Sequence, residues 1–99
     1  MKELDGIPPT LQPNHVLYFG AKSWCAPCKF LHPMMESLSD EYNDVEFVYL
    51  DADVAPKVMV DYKITSVPTV IMSINGQEKV FHGLQPKSSY QAFLRNLTP

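Results

Sequence analysis

An α/β fold, with a mixed four-stranded sheet flanked by about three helices, is what the 99-residue sequence predicts. Three observations carry that prediction. Short apolar runs of strand length alternate with segments whose apolar residues recur every three or four positions. The first two runs are separated by a long helical segment, which makes their strands parallel. The last two meet at Asn75-Gly76, a tight hairpin signal that makes them antiparallel. Strands of both senses joined by helices give a mixed sheet covered on both faces.

The elements follow in chain order. Residues 1–14 carry Pro8, Pro9 and Pro13 with neither helical nor alternating pattern, so they read as an irregular arm with room for a short edge strand. His15 to Ala21 is a continuous apolar and aromatic run, as a strand buried on both faces requires. From Ala26, the residues Leu31, Met34, Met35, Leu38 and Tyr42 mark one helical face, and Asn43-Asp44 ends it. Pro27 suits the first turn, where its missing N–H is not needed, whereas Pro33 falls in the interior and predicts a kink. Val45 to Leu50 is a second buried strand, Ala55 to Tyr62 a short helix, Thr69 to Ile74 a third strand and Glu78 to His82 a fourth. Tyr90, Phe93, Leu94 and Leu97 mark the face of a last helix that starts near Pro86.

A chain of this length supports one hydrophobic core, so residues 1–99 are read as a single domain. A formal net charge of −3 argues against nucleic-acid binding as the main task, which needs a basic face. No stretch approaches the roughly 18 apolar residues of a membrane span. The opening residues are polar and lack the apolar core of a secretory signal, so a cytoplasmic protein is expected.

The two cysteines, Cys25 and Cys28, stand three residues apart. Closing so small a loop removes little entropy from the unfolded chain, and a reducing compartment favours chemistry over a structural staple. A structural zinc site needs four ligands; with no second cysteine pair, and with His32 the nearest other candidate, no metal is expected. Redox exchange is the leading reading, beside an inert, merely buried pair. A thiolate attacks disulfides, and Cys25 at the start of the long helix meets free backbone N–H groups and the positive end of the helix dipole, which favour negative charge. Cys25 is therefore the expected nucleophile. Cys28, one turn on, would resolve the resulting mixed disulfide, and Trp24 would shape the contact platform.

Trp24-Cys25-Ala26-Pro27-Cys28-Lys29 resembles the W-C-G-P-C-K of the thioredoxin family, with alanine in place of the usual glycine. Pro33 falls where that family kinks its helix, and Val67-Pro68-Thr69 is similar to its [IV]-P-T. Asp53, Pro56, Tyr62, Asn75-Gly76 and Gly83 also fit the pattern, so the resemblance spans about residues 15–97. It implies a shortened thioredoxin-like fold that lacks most of the usual first strand and helix, and a cis bond at Val67-Pro68. It also implies a shallow substrate surface made by Trp24, Ala26, Pro27, Val67, Pro68 and Gly83. The implied function is reduction of protein disulfides by a monomer that needs no cofactor beyond its redox-active Cys25–Cys28 pair. Electrons would come from thioredoxin reductase or a similar donor, with protein disulfides as substrates and no membrane or nucleic-acid partner. A disulfide oxidase or isomerase, and a binding subunit with dispensable thiols, are the alternatives.

Two departures from the family pattern bear on mechanism. Cover usually given by the first strand and helix must come from the arm or a partner. The family's buried aspartate falls on Tyr18 if one residue is inserted near Lys22-Ser23, and on Phe19 otherwise; its lysine falls on Tyr49. Cys28 is then expected to lose its proton to water or to a nearby carboxylate. Tyr18, Tyr49, Met34 and Met35 are otherwise read as core residues, Asp51 and Asp53 as the end of a strand, and His15, His32 and His82 as structural or solvent-facing. Lys22 and Lys29 add positive potential of small effect.

Overall fold

The computed structural model describes residues 1–97. In chain order it contains β1 (Lys2–Leu4), β2 (His15–Gly20), α1 (Ala26–Glu41), β3 (Glu46–Asp51), α2 (Pro56–Asp61), β4 (Thr69–Ile74), β5 (Gln77–His82) and α3 (Lys87–Leu94). A single 3₁₀ turn, Arg95–Leu97, follows α3, so Leu97 lies beyond the α-helix that its spacing predicts. The sheet has order β1-β3-β2-β4-β5, with β1, β3 and β2 mutually parallel and β4 and β5 antiparallel.

The sheet therefore has five strands rather than four. The extra one is β1, which pairs along the edge of β3 with Lys2 opposite Val48 and Leu4 opposite Leu50. Three residues are too few to show a period of two, and the prolines that follow mask the signal. Glu46 fastens this edge: its carboxylate accepts from the Lys2 ammonium at 3.0 Å and from the Gln12 backbone N–H at 2.9 Å. Those two bonds, that of Gln12 first, hold its carboxyl below the ordinary glutamate range.

Alternation along β2 and β3 divides the core into two layers. Val16 and Tyr18, with Phe47 and Tyr49, face α1 and α3, where Leu31, Met35, Leu38, Tyr90 and Leu94 meet them. Leu17 and Phe19, with Val48 and Leu50, face α2 and its Val58 and Met59. Both faces are buried, which is why these strands read as unbroken apolar runs. The arm covers what α2 leaves open: Leu4, Ile7 and Leu11 pack on the second layer. Pro33 lies inside α1 without ending it. In the β4–β5 turn, Asn75 and Gly76 both take positive φ (51° and 78°), the geometry a two-residue hairpin needs.

Removing residues 1–13 should leave the remaining fold in place but strip three half-buried aliphatic side chains from the α2 face. At about half of the 1.5–3 kcal/mol for full burial of each, the expected loss is roughly 3 kcal/mol. Urea denaturation should show a lower midpoint, and binding of an apolar dye should rise.

Candidate active site

The cysteines sit where the turn after β2 becomes α1. Cys25 is the N-cap residue, with extended backbone (φ −98°, ψ 100°), and its Sγ accepts the Cys28 N–H at 3.2 Å. Pro27 occupies the first turn, where no intrahelical partner for an N–H exists. The two sulfurs are bonded at 2.12 Å, and the pair is nearly closed to solvent, with Cys25 4% and Cys28 3% exposed. Ala21 completes this small cluster, and Ala52 and Val67 pack against it. A sulfur at the N-cap of a 16-residue helix faces unsatisfied backbone donors, which favour its anionic form once the disulfide is opened.

The residues expected to form the contact surface gather here, in different roles. Trp24 is 62% exposed beside the pair. Ala26 and Pro27 are exposed on the first turn of α1. The Val67–Pro68 peptide bond is cis; Val67 packs on the cysteines, and Pro68 is buried. Gly83, at φ 73°, donates its N–H to the Pro68 carbonyl at 2.9 Å. A concavity of about 230 Å³ opens between Trp24 and Val67. Its remaining wall comes from Pro56, and from Ala52, Met59 and the Ile64–Ser66 segment, which sequence reasoning did not single out. Of the expected surface residues, only Trp24 and Val67 line it; Ala26, Pro27, Pro68 and Gly83 do not.

Asp51 and Asp53 do more than end a strand. The Asp51 carboxylate accepts from the Lys22 backbone N–H (3.0 Å), the Tyr49 hydroxyl (2.7 Å) and the Asp53 backbone N–H (2.9 Å). Burial pushes its pKa up, but these hydrogen bonds and the Lys22 charge outweigh burial and hold it below the usual carboxylate range. Asp53 accepts from the Ser23 hydroxyl at 2.6 Å and the Trp24 indole N–H at 3.2 Å. The two aspartates thus fix the Lys22–Trp24 turn that delivers Cys25. Their partners in that turn lie 29 or 30 positions away, so no local pattern could reveal them.

Tyr18, not Phe19, lies beneath Cys28. Its hydroxyl donates to the Cys28 carbonyl at 3.4 Å, and its ring packs 4.7 Å from that of Tyr49. Phe19 points into the opposite layer, against Tyr62. Burial first, and then the nearby Asp51 charge, raise the Tyr18 phenol; burial, the bond to Asp51 and its charge do the same for Tyr49. Both stay neutral at physiological pH. Gly20 is fitted to this pair, because a Cβ there would stand 3.0 Å from Tyr49 and 3.1 Å from Tyr18. Among the described residues, no group of three His, Cys, Asp or Glu side chains gathers as metal ligands would.

The lowered Asp51 pKa sets a direction for acid stability. Its unfolded value, near 3.9, lies above the folded one, so its contribution is complete above about pH 4 and fades as pH falls through the folded value. Asp51→Asn should lower stability at pH 7 by about 2 kcal/mol, in line with losing hydrogen bonds to a charged acceptor. Chemical denaturation from pH 7 to pH 2 should show a shallower acid loss in the variant than in the wild type.

Comparison with known proteins agrees with this geometry. The family model described as Thioredoxin matches residues 10–96. Thioredoxin-2 of Saccharomyces cerevisiae is 34% identical over 76 residues, covering 76% of this chain and 73% of that protein. Thioredoxin H2 of Arabidopsis thaliana is 39% identical over 56 residues, which are 57% of this chain and 42% of the relative, so the match spans under half of that longer protein. The X-ray structure of Fasciola hepatica thioredoxin superposes with a TM-score of 0.73 at 29% identity, covering 87% of this chain and 83% of the other. By family model, relative and fold alike, the chain belongs to the thioredoxin family.

Proposed function

We propose that the protein is a thiol–disulfide oxidoreductase that reduces disulfides of other proteins. The observation that carries this reading is the Cys25 sulfur at the N-cap of α1, bonded to Cys28 one turn on. In the reduced protein, the Cys25 thiolate attacks a substrate disulfide; one substrate sulfur leaves as thiolate and a mixed disulfide forms. Cys28 then attacks the Cys25 sulfur, the Cys25–substrate bond breaks, and the second substrate thiolate departs. The substrate gains two electrons, and the protein is left with the Cys25–Cys28 disulfide. Thioredoxin reductase or a similar donor returns the electrons, making the protein an electron carrier in a reducing compartment such as the cytoplasm.

An extended substrate segment lies on Trp24, Ala26 and Pro27 and against the Val67 backbone, with Pro68 and Gly83 fixing that edge, in the manner of strand addition. The chain works as a single 1–99 domain and a monomer, with no cofactor besides its cysteine pair. No helix of the described residues is long and apolar enough to cross a membrane.

Insulin-disulfide reduction, with and without thioredoxin reductase, tests the reading. Cys25→Ser should abolish turnover, whereas Cys28→Ser should accumulate a covalent complex with substrate that dithiothreitol releases. Activity retained by Cys25→Ser would overturn the assigned nucleophile. Equilibration with glutathione separates a reductant from an oxidase or isomerase. Full cellular function in the Cys25→Ser/Cys28→Ser double variant would mark a scaffold instead.

A further inference from the structure

Cys28 is buried, and a buried thiol needs a nearby acceptor for its proton before it can attack. The groups beneath it are arranged around a second cavity, of about 260 Å³, lined among others by Cys28, His32, Tyr18, Tyr49, Lys22 and Lys29. His32 stands one turn after Cys28 on the same side of α1. Its Nε2 pairs with Glu36 Oε1 at 3.0 Å, while its Nδ1 is buried without a partner. A carboxylate only accepts, so Nε2 carries the ring proton and Nδ1 presents its lone pair. The ring is held edge-on against Tyr49 at 5.1 Å and beside Tyr18 at 5.8 Å.

We propose that His32 takes the Cys28 proton during resolution, through water in the cavity that the two residues share. The volume holds water readily, and a buried imidazole nitrogen calls for a hydrogen-bond partner. The proposal rests on Cys25 as nucleophile and Cys28 as resolving thiol. Electrons and protons balance: the Cys28 S–H proton passes through water to Nδ1, the Cys28–Cys25 bond forms, and the substrate thiolate leaves with the electron pair. On re-reduction, the imidazolium returns the proton.

The other groups facing the cavity do not suit the task. Tyr18 and Tyr49 are neutral phenols whose hydroxyls already donate, to the Cys28 carbonyl and to Asp51. Asp51, behind Tyr49, has both oxygens engaged and is a weak base, its pKa being lowered. The ammonium groups of Lys22 and Lys29 donate only. Lys22 is also bound to Glu3 at 2.7 Å and stands 5.4 Å over the Tyr49 ring. Glu36 is a positioning residue: its carboxylate, 3.0 Å from Nε2, orients the ring. His32, read from sequence as structural or solvent-facing, thus fills a place for which an aspartate was missing.

Stopped-flow mixing of the reduced protein with 5,5′-dithiobis(2-nitrobenzoate) separates the two steps. Cys25 releases one thionitrobenzoate, and Cys28 releases the second from the Cys25 mixed disulfide. The second rate, followed from pH 5 to 9, should contain an imidazole ionisation. His32→Gln should lose that ionisation and slow the second release about a hundredfold at pH 7, the low side of general-base effects. Glu36→Gln, at an exposed site, keeps the imidazole but removes the carboxylate that orients it, so it should slow the second release and leave the first unchanged; it carries the test should His32→Gln fail to fold. An unchanged pH profile in His32→Gln, or equal slowing at every pH, overturns the role of His32. Release of only one thionitrobenzoate by the wild type overturns the resolving role of Cys28, and the present proposal with it.

Discussion

The Asp51 carboxylate is the contact on which the geometry of the site depends. It lies at the C-terminal end of β3, opposite Gly20 at the end of β2, where both strands must release the chain into turns. Its oxygens gather donors from the turn that follows β2, from the next turn on its own side and from the Tyr49 side chain. The Ala52 N–H donates to the Gly20 carbonyl at 2.8 Å and holds the two strand ends together. A buried charge with three hydrogen bonds has one favourable arrangement, and losing any partner leaves an expensive unsatisfied group. Cys25 and Trp24 inherit their positions from that arrangement, with Asp53 continuing it to the indole.

Beneath the cysteines, the chain substitutes shape for charge. Two neutral tyrosines pack with tilted rings at the positions where the resemblance placed an aspartate and a lysine, and each hydroxyl has an internal acceptor. A small core gains apolar area this way without the desolvation penalty of a buried ion pair. The consequence is a layer without an ionised group directly under Cys28, opening onto the flank of α1. Gly20 belongs to the same solution, since the tyrosine rings occupy the volume its side chain would need. The arm solves the remaining packing problem by placing Leu4, Ile7 and Leu11 over the α2 face.

Much of this was legible in the residues. The apolar runs located β2, β3 and β4 to within a residue, Pro27 marked the first turn of α1, and Asn75-Gly76 marked the hairpin, because each signal is local and strong. The Cys25–Cys28 pair was legible because its spacing on a helix start has a direct chemical meaning. β1 was legible only as room for a short edge strand in the arm: a three-residue strand gains its hydrogen bonds from β3, more than forty positions away, and leaves no periodic trace that would place it. The concavity wall at Ile64–Ser66 escaped for a similar reason, since those residues have no pattern until Val67 and Trp24 face them.

The sequence by itself determined the α/β class, the order of its main elements and the paired thiols at a helix N-terminus, all of which follow from period, turn chemistry and spacing along the chain. Tertiary structure decided the rest. It put Tyr18 rather than Phe19 under Cys28, because a strand turns successive side chains to opposite faces and only the pairing of β2 with β3 and β4 fixes which face is which. It made Asp51 a hub and turned His32 toward the space beside Cys28, because hydrogen bonds and cavities join groups that the sequence keeps apart.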